Sequence, residues 1–189
     1  FHSDADLAKA AAIVENAKVQ RPGVGNAGET RRGHAASANP FVRELGRKAG
    51  MAGVEFHADP RSRPIFEGAF GGKVVPAGEK DFDTEYLDLK LNVKLVDSLD
   101  EAIEHIEKHG SRHSESIVTK DEKSARKFQA EVDSAAVYWN ASTRFTDGFE
   151  LGLGGELGIS TQKLHVRGPV GLRELTSVRW VIDGEGQVR

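Results

Sequence analysis

Between Leu87 and Leu95 apolar and polar positions alternate without a break: Leu87, Leu89, Leu91, Val93 and Leu95 are separated by Asp88, Lys90, Asn92 and Lys94. A period of two predicts a strand with one face buried. On either side of it the period changes to that of a helix. Leu7, Ala11, Val14 and Ala17 predict a helix over residues 5–19, with Ser3 or Asp4 able to accept from the free N–H groups of its first turn. Pro22 and Gly23 end it, because proline lacks a donor and disfavours a helical residue before it. Downstream, Ser98-Leu-Asp-Glu101 is a capping box that opens a helix running to about His109 and stopping at Gly110. Residues 116–119 predict a second strand, Thr119-Lys-Asp-Glu122 a second capping box opening a helix to about Val132, and residues 135–140 a third strand. Strand, helix, strand, helix, strand at this spacing predicts βαβ units, hence an α/β chain with a mainly parallel sheet.

The remaining stretches are less periodic. Asn39-Pro40 reads as the cap and first position of a short helix over 41–48, stopped by Gly50. Residues 54–57 predict a short strand. Residues 58–84 hold Pro60, Pro64, Pro76 and several glycines, and predict irregular structure with one strand at 73–75. Residues 141–171 form a glycine-rich loop region, and 175–182 a last strand ending in the turn Asp183-Gly184. There is no internal repeat and no low-complexity segment.

Composition narrows the function classes. The chain has 189 residues, enough to bury about 70% of its unfolded surface without staples. Its 26 Lys and Arg against 29 Asp and Glu leave a net charge of −3, so the basic footprint of a nucleic-acid binder is missing. With no cysteine, disulfides, thiolate metal sites and a cysteine nucleophile are excluded. No apolar run reaches the ~18 residues of a membrane span and no signal-peptide pattern opens the chain, so the expectation is a cytoplasmic protein without nucleic-acid or membrane partners. The first residue is Phe1 and the single methionine is Met51, which predicts that a native start is not included.

Local motifs add little alone. His105, His109 and His113 fall four apart, a spacing that can place ligands on one metal. Gly110 interrupts the helix before His113, however, and no carboxylate completes a set, so no metal is expected. Gly152-Leu-Gly154-Gly155-Glu-Leu-Gly158 misplaces the third glycine of a dinucleotide fingerprint and follows a loop instead of a strand.

A longer stretch is more specific. Val96, Ala102, Ile103, His105, Ile106, His109, Gly110, Ser111, His113, Ser114, Glu115 and Ile117 together resemble the signature of the γ-glutamyl phosphate reductase family. Asp4–Ala10, Asn16–Pro22, Glu85–Asp88, Asn140–Gly148 and the segments 158–161 and 165–169 resemble further stretches of that family. The resemblance implies an aldehyde-dehydrogenase-like catalytic domain over residues 1–172 and a C-terminal oligomerisation strand within 173–189, at about 176–188, joining subunits of a homo-oligomer. It implies NADPH-dependent reduction of γ-glutamyl phosphate to glutamate-5-semialdehyde in proline biosynthesis, through a cysteine thioester, with the cofactor-binding half lying upstream.

At the nucleophile the chain departs from its family. The family pattern is Arg-Pro-x-x-Cys-Asn-x-x-Glu-Thr, whereas this chain reads Arg21-Pro-Gly-Val-Gly25-Asn26-Ala-Gly28-Glu29-Thr30. Gly25 therefore marks the catalytic position and has no side chain to attack with. Arg31, Arg32 and Gly33 replace an apolar strand of the family pattern, so that strand is expected to be displaced, exposed or paired with unexpected acids, because burying guanidiniums without partners is costly. By matched position Asn16 and Arg21 shape the acyl pocket or tie the loop, and Glu85 binds the nicotinamide ribose or is a surface carboxylate. Arg144, with Ser142 and Thr143 after a strand end, anchors a substrate oxyanion or pairs with Asp147. The alternative to the reductase reading is a non-catalytic homologue or fragment that serves assembly or binding.

Overall fold

The computed structural model describes residues 1–49, 53–69 and 73–189. Its main sheet has four strands in the order β1 (Thr30–His34), β4 (Lys90–Val96), β2 (Glu55–Ala58) and β3 (Val74–Pro76), every neighbouring pair parallel. A parallel pair, β5 (Ser114–Ile117) with β6 (Ala136–Trp139), and a short antiparallel hairpin, β7 (Gly158–Ser160) with β8 (Gly168–Val170), complete the strands. The helices are α1 (Leu7–Val19), α2 (Ala38–Ala49), α3 (Arg63–Ala69), α4 (Leu99–His109) and α5 (Glu122–Glu131). The α/β class with a mainly parallel sheet agrees with the sequence. Helix α3 and the hairpin were not legible in it, and the expected stop at Gly50 lies outside the described residues. Among the described residues no helix is long and apolar enough to cross a membrane.

One apolar core joins α1, α2, β2 and β4 through Ala10, Ala11, Val14, Phe41, Val42, Leu45, Phe56 and Leu91. A second joins α4, β5 and α5 through Ile103, Ile106, Ile117, Ala125 and Phe128. Strand β4 corrects the half-buried reading. It lies between β1 and β2, and of its polar positions Lys90 and Lys94 stay partly exposed while Asn92 is fully buried. Its amide donates to the Asp81 carbonyl at 2.7 Å and to Thr30 Oγ1 at 3.3 Å, while its oxygen accepts from the Tyr86 hydroxyl at 2.9 Å. Leu87 stands outside the strand, exposed, with φ 54°.

Four helix starts differ from expectation. Helix α2 begins at Ala38, so Asn39 and Pro40 lie inside its first turn instead of forming the cap and first position. Asp6, not Ser3 or Asp4, caps α1 by accepting from the Lys9 N–H at 3.0 Å. Asp4 instead accepts from Thr119 Oγ1 and the Lys120 N–H, more than a hundred residues away. That contact occupies Thr119, and Asp121 caps α5 by accepting from the N–H groups of Lys123 and Ser124. Ser98 caps α4 as expected, but Glu101 returns its bond to the Asp97 N–H.

Strand β1 is neither displaced nor exposed. It pairs with β4 along its full length, from Thr30 beside Asn92 to His34 beside Val96. Arg32 finds an acid, its Nη1 lying 3.6 Å from Glu115 Oε2, and its Nε donates to His105 Nδ1 at 3.0 Å. Arg31, on the other face, has no acid partner among the described residues. It is buried between the rings of Phe1 and Phe41, with its Cζ 4.4 and 4.1 Å from their centroids, and its Nε and Nη2 have no hydrogen-bond partner. A Cβ at Gly33 would come within 2.9 Å of the Phe1 ring, so the small residue makes room for that ring.

The C-terminal strand is not formed in this single chain. Residues 175–182 make no strand ladder, and Val178, Trp180 and Ile182 are almost fully exposed.

Candidate functional site

The site is built at the exit of α1. Pro22 and Gly23 end the helix and the chain folds back: Ala27 donates its N–H to the Val24 carbonyl at 2.9 Å, and Gly28 to the Ala17 carbonyl at 2.8 Å. This turn presents Gly25 at the surface just before β1 begins. A Cβ at position 25 would lie 3.3 Å from His113 Nε2 and 3.4 Å from His113 Cδ2. A side chain fits there once the imidazole yields by a few tenths of an ångström, and its tip would rest beside that ring.

A hydrogen-bonded chain fixes the imidazole. His113 Nδ1 and Ser114 Oγ are 2.8 Å apart, Ser114 Oγ is 2.8 Å from Thr146 Oγ1, and the Tyr138 hydroxyl meets the same Thr146 oxygen at 2.8 Å. Burial lowers the His113 pKa, and the field of Glu85 opposes that shift. A neutral ring near the turn is able to take a proton.

Asn26, next to Gly25, is buried and tied on every side. Its Nδ2 donates to the Thr146 carbonyl at 2.7 Å, its carbonyl accepts from Thr143 Oγ1 at 2.6 Å, and its Oδ1 accepts from Arg144 Nη1. Arg144 Nε donates to Gln20 Oε1 at 2.6 Å. The segment after β6 therefore clamps the glycine turn, with Ser142 capping its single helical turn. Arg144 holds Asn26 instead of reaching into open space or pairing with Asp147.

A cavity of about 210 Å³ includes Gly25, Glu85, Ser114 and Thr143 in its lining. Asn16 is exposed on α1 and Arg21 is exposed at its end, and neither lines that cavity. The structure thus gathers Gly25, Glu85 and Thr143 around one cavity, with Ser142 and Arg144 supporting it from behind. His113, Asn26, Thr146 and Tyr138 were not proposed from sequence. His113 and Asn26 sat inside motifs that were read, but nothing in one chain signals that they meet.

The three spaced histidines have separate partners: His105 accepts from Arg32, His109 meets Asp83 at 2.6 Å, and His113 meets Ser114. Among the described residues no group of three His, Asp or Glu is placed to hold a metal.

No family model matches the chain. A γ-glutamyl phosphate reductase from Heliobacterium modesticaldum is 52% identical over 187 residues, 99% of this chain and 44% of that protein. The crystal structure of the Thermotoga maritima γ-glutamyl phosphate reductase superposes with a TM-score of 0.89 at 50% identity, covering 98% of this chain and 44% of that one. This chain is a γ-glutamyl phosphate reductase homologue. It spans less than half the length of these relatives. The homologue also shares its fold with a propionaldehyde dehydrogenase from Clostridium phytofermentans, at TM-score 0.62 and 20% identity over 87% of this chain and 45% of that one. An engineered glycolyl-CoA reductase with bound NADP+ has the same fold, at TM-score 0.59 and 16% identity over 89% of this chain and 44% of that one. The aldehyde-dehydrogenase-like architecture expected from sequence is therefore present.

Proposed function

We propose that this chain is the nucleophile-bearing half of an NADPH-dependent γ-glutamyl phosphate reductase in which the nucleophile has been lost, so that the chain does not turn over as it stands. The carrying observation is the intact turn at Gly25. It is exposed, clamped through Asn26, and faced by His113 where a Cβ would project. In the full reaction a thiolate attacks the γ-acyl carbon, phosphate leaves, and hydride reduces the thioester to glutamate-5-semialdehyde as the thiol is released. His113 accepts the thiol proton, and the turn's backbone N–H groups favour the oxyanion. NADPH, when bound, supplies the hydride. Glu85, exposed at the cavity lining, is the residue of this chain suited to accept a hydrogen bond from its ribose. A cytoplasmic setting goes with this biosynthetic role.

Gly25→Cys tests the reading. The introduced thiol should alkylate with an apparent pKa below the ordinary ~8.5 and take up an acetyl group from acetyl phosphate, followed by intact mass. The unsubstituted chain should take up none. Acyl transfer to the Gly25 chain, or a Gly25→Cys variant whose thiol stays unacylated, would overturn it.

A second reading concerns assembly. Val178, Trp180, Val181 and Ile182 are 92, 88, 71 and 85% exposed, more apolar surface than an isolated tail normally leaves in water. Residues 173–189 become a strand on a second subunit of a homo-oligomer. Removing them should convert an oligomer to a monomer in sedimentation, and an unchanged state would refute the role.

A further inference from the structure

The His113 ring turns one nitrogen to Gly25 and the other to the interior. A Cβ at position 25 would lie 3.3 Å from Nε2, whereas Nδ1 sits 2.8 Å from Ser114 Oγ. A neutral imidazole carries one N–H, and the nitrogen that holds it decides what the ring offers to position 25. With the hydrogen on Nε2 the ring is a donor there. With the hydrogen on Nδ1, Nε2 is a bare lone pair that can take a proton. Among the described residues only Ser114 bonds the ring nitrogens, so the hydrogen finds an acceptor on Nδ1 and none on Nε2.

Ser114 accepts from Nδ1 only when its own hydrogen points elsewhere. The register of β5 and β6 supplies that direction. Ser114 lies beside Ala136 and Ser116 beside Tyr138, so Ser114 and Tyr138 share one face of the pair, and Thr146 bridges them. Thr146 is 1% exposed, and its hydroxyl has one hydrogen between two oxygens, Ser114 Oγ and the Tyr138 hydroxyl, each 2.8 Å away. Donating to Ser114, it would turn the serine hydrogen back onto Nδ1. Donating to Tyr138, it accepts from Ser114 and leaves the serine free to accept from Nδ1. The three hydroxyls therefore have two concerted orientations, one for each tautomer of the ring. Tyr138 ends the chain. It is half-buried and bonds only Thr146 among the described residues, so its hydrogen can go to water while its oxygen accepts from Thr146.

Resting on the reading of His113 as the nucleophile's proton acceptor, we propose that Tyr138, acting through Thr146 and Ser114, is a positioning residue that holds His113 as the Nδ1–H tautomer and presents a bare Nε2 to position 25. A thiol at that position passes its proton to Nε2 and keeps the S–H electron pair as thiolate. The other N–H of the resulting imidazolium is already held by Ser114. A tyrosine three hydrogen bonds from the ring thus does what a carboxylate does in a hydrolase triad.

The first measurement needs no thiol. Heteronuclear NMR of the imidazole nitrogens in the chain with Gly25 should find the neutral His113 protonated on Nδ1. Tyr138→Phe leaves Thr146 only Ser114 to donate to, so the ring should convert to the Nε2–H form. Thr146→Val should do the same, and Thr146→Ser should restore the parental signature. In the Gly25→Cys background, Tyr138→Phe should slow acetylation by acetyl phosphate about tenfold or more. A parental ring protonated on Nε2, or spectra unchanged by both Tyr138→Phe and Thr146→Val, overturns the proposal even where the introduced thiol is acetylated. The expected tautomer changes in a chain whose thiol stays unacylated would sustain the positioning role and overturn only the reading of His113 as the base.

Discussion

Strands β1 and β4 are neighbours in one parallel ladder, yet they are made of opposite material. β4 carries Leu91, Val93 and Leu95, each at most 5% exposed, and its one fully buried polar residue, Asn92, is satisfied by three bonds. β1 carries two guanidiniums and a glycine in five residues. Both end up buried, and for different reasons. β4 is driven inside by its own side chains, whereas β1 is drawn in by the ladder it forms with β4 and by partners brought from elsewhere. Glu115 and His105 receive Arg32, and two phenylalanine rings receive Arg31. Strand formation is thus a property of the available edge as much as of the strand's own composition.

The contrast can be broken at its strong side first. Leu91→Ala should cost about 2–5 kcal/mol in urea unfolding, as for other buried leucines. A loss under 1 kcal/mol, on the order of a surface change, would mean that β4 does not anchor the core. Arg31→Leu should act in the opposite direction. It removes two unpaired buried donors at the expense of the ring contacts, for a net gain of about 1–2 kcal/mol by the same assay. Destabilisation instead would show that the two rings hold the cation better than water does.

The smallest expected effect is one of pH. Burial first, then repulsion from Arg32 and His109, lowers the His105 pKa to about 3. The folded ring stays neutral, as its acceptor role toward Arg32 Nε requires, while the unfolded ring binds a proton below its ordinary value of 6.5. Its contribution is therefore full above 6.5 and is lost as pH falls from there toward 3. His105→Gln should lose less of its urea midpoint than the parent between pH 7 and pH 4.5. Equal losses would assign the acid sensitivity to other groups.

The α4–β5–α5–β6 run was legible because each of its elements carries its own start, stop and period. Ser98 and Gly110 bracket α4, and the parallel pairing of β5 with β6 follows from the helix between them. The same local logic misassigned Asp4 and Thr119. Each looked like a cap, and each is committed to the other across the fold. The candidate site was legible as a position but not as a surrounding. Gly25 stood out only against a family pattern, whereas its facing ring, His113, comes from a loop end 88 residues later in the chain.

The sequence by itself determined the α/β class, the extent of most helices and the resemblance to γ-glutamyl phosphate reductases, because these depend on local spacing or on identities at matched positions. Only the tertiary structure decided that β1 stays in the sheet, that Arg144 clamps Asn26, and that His113 faces Gly25. Those outcomes depend on hydrogen-bonding groups and charges finding partners far along the chain, and no local pattern encodes which partners the fold brings within reach.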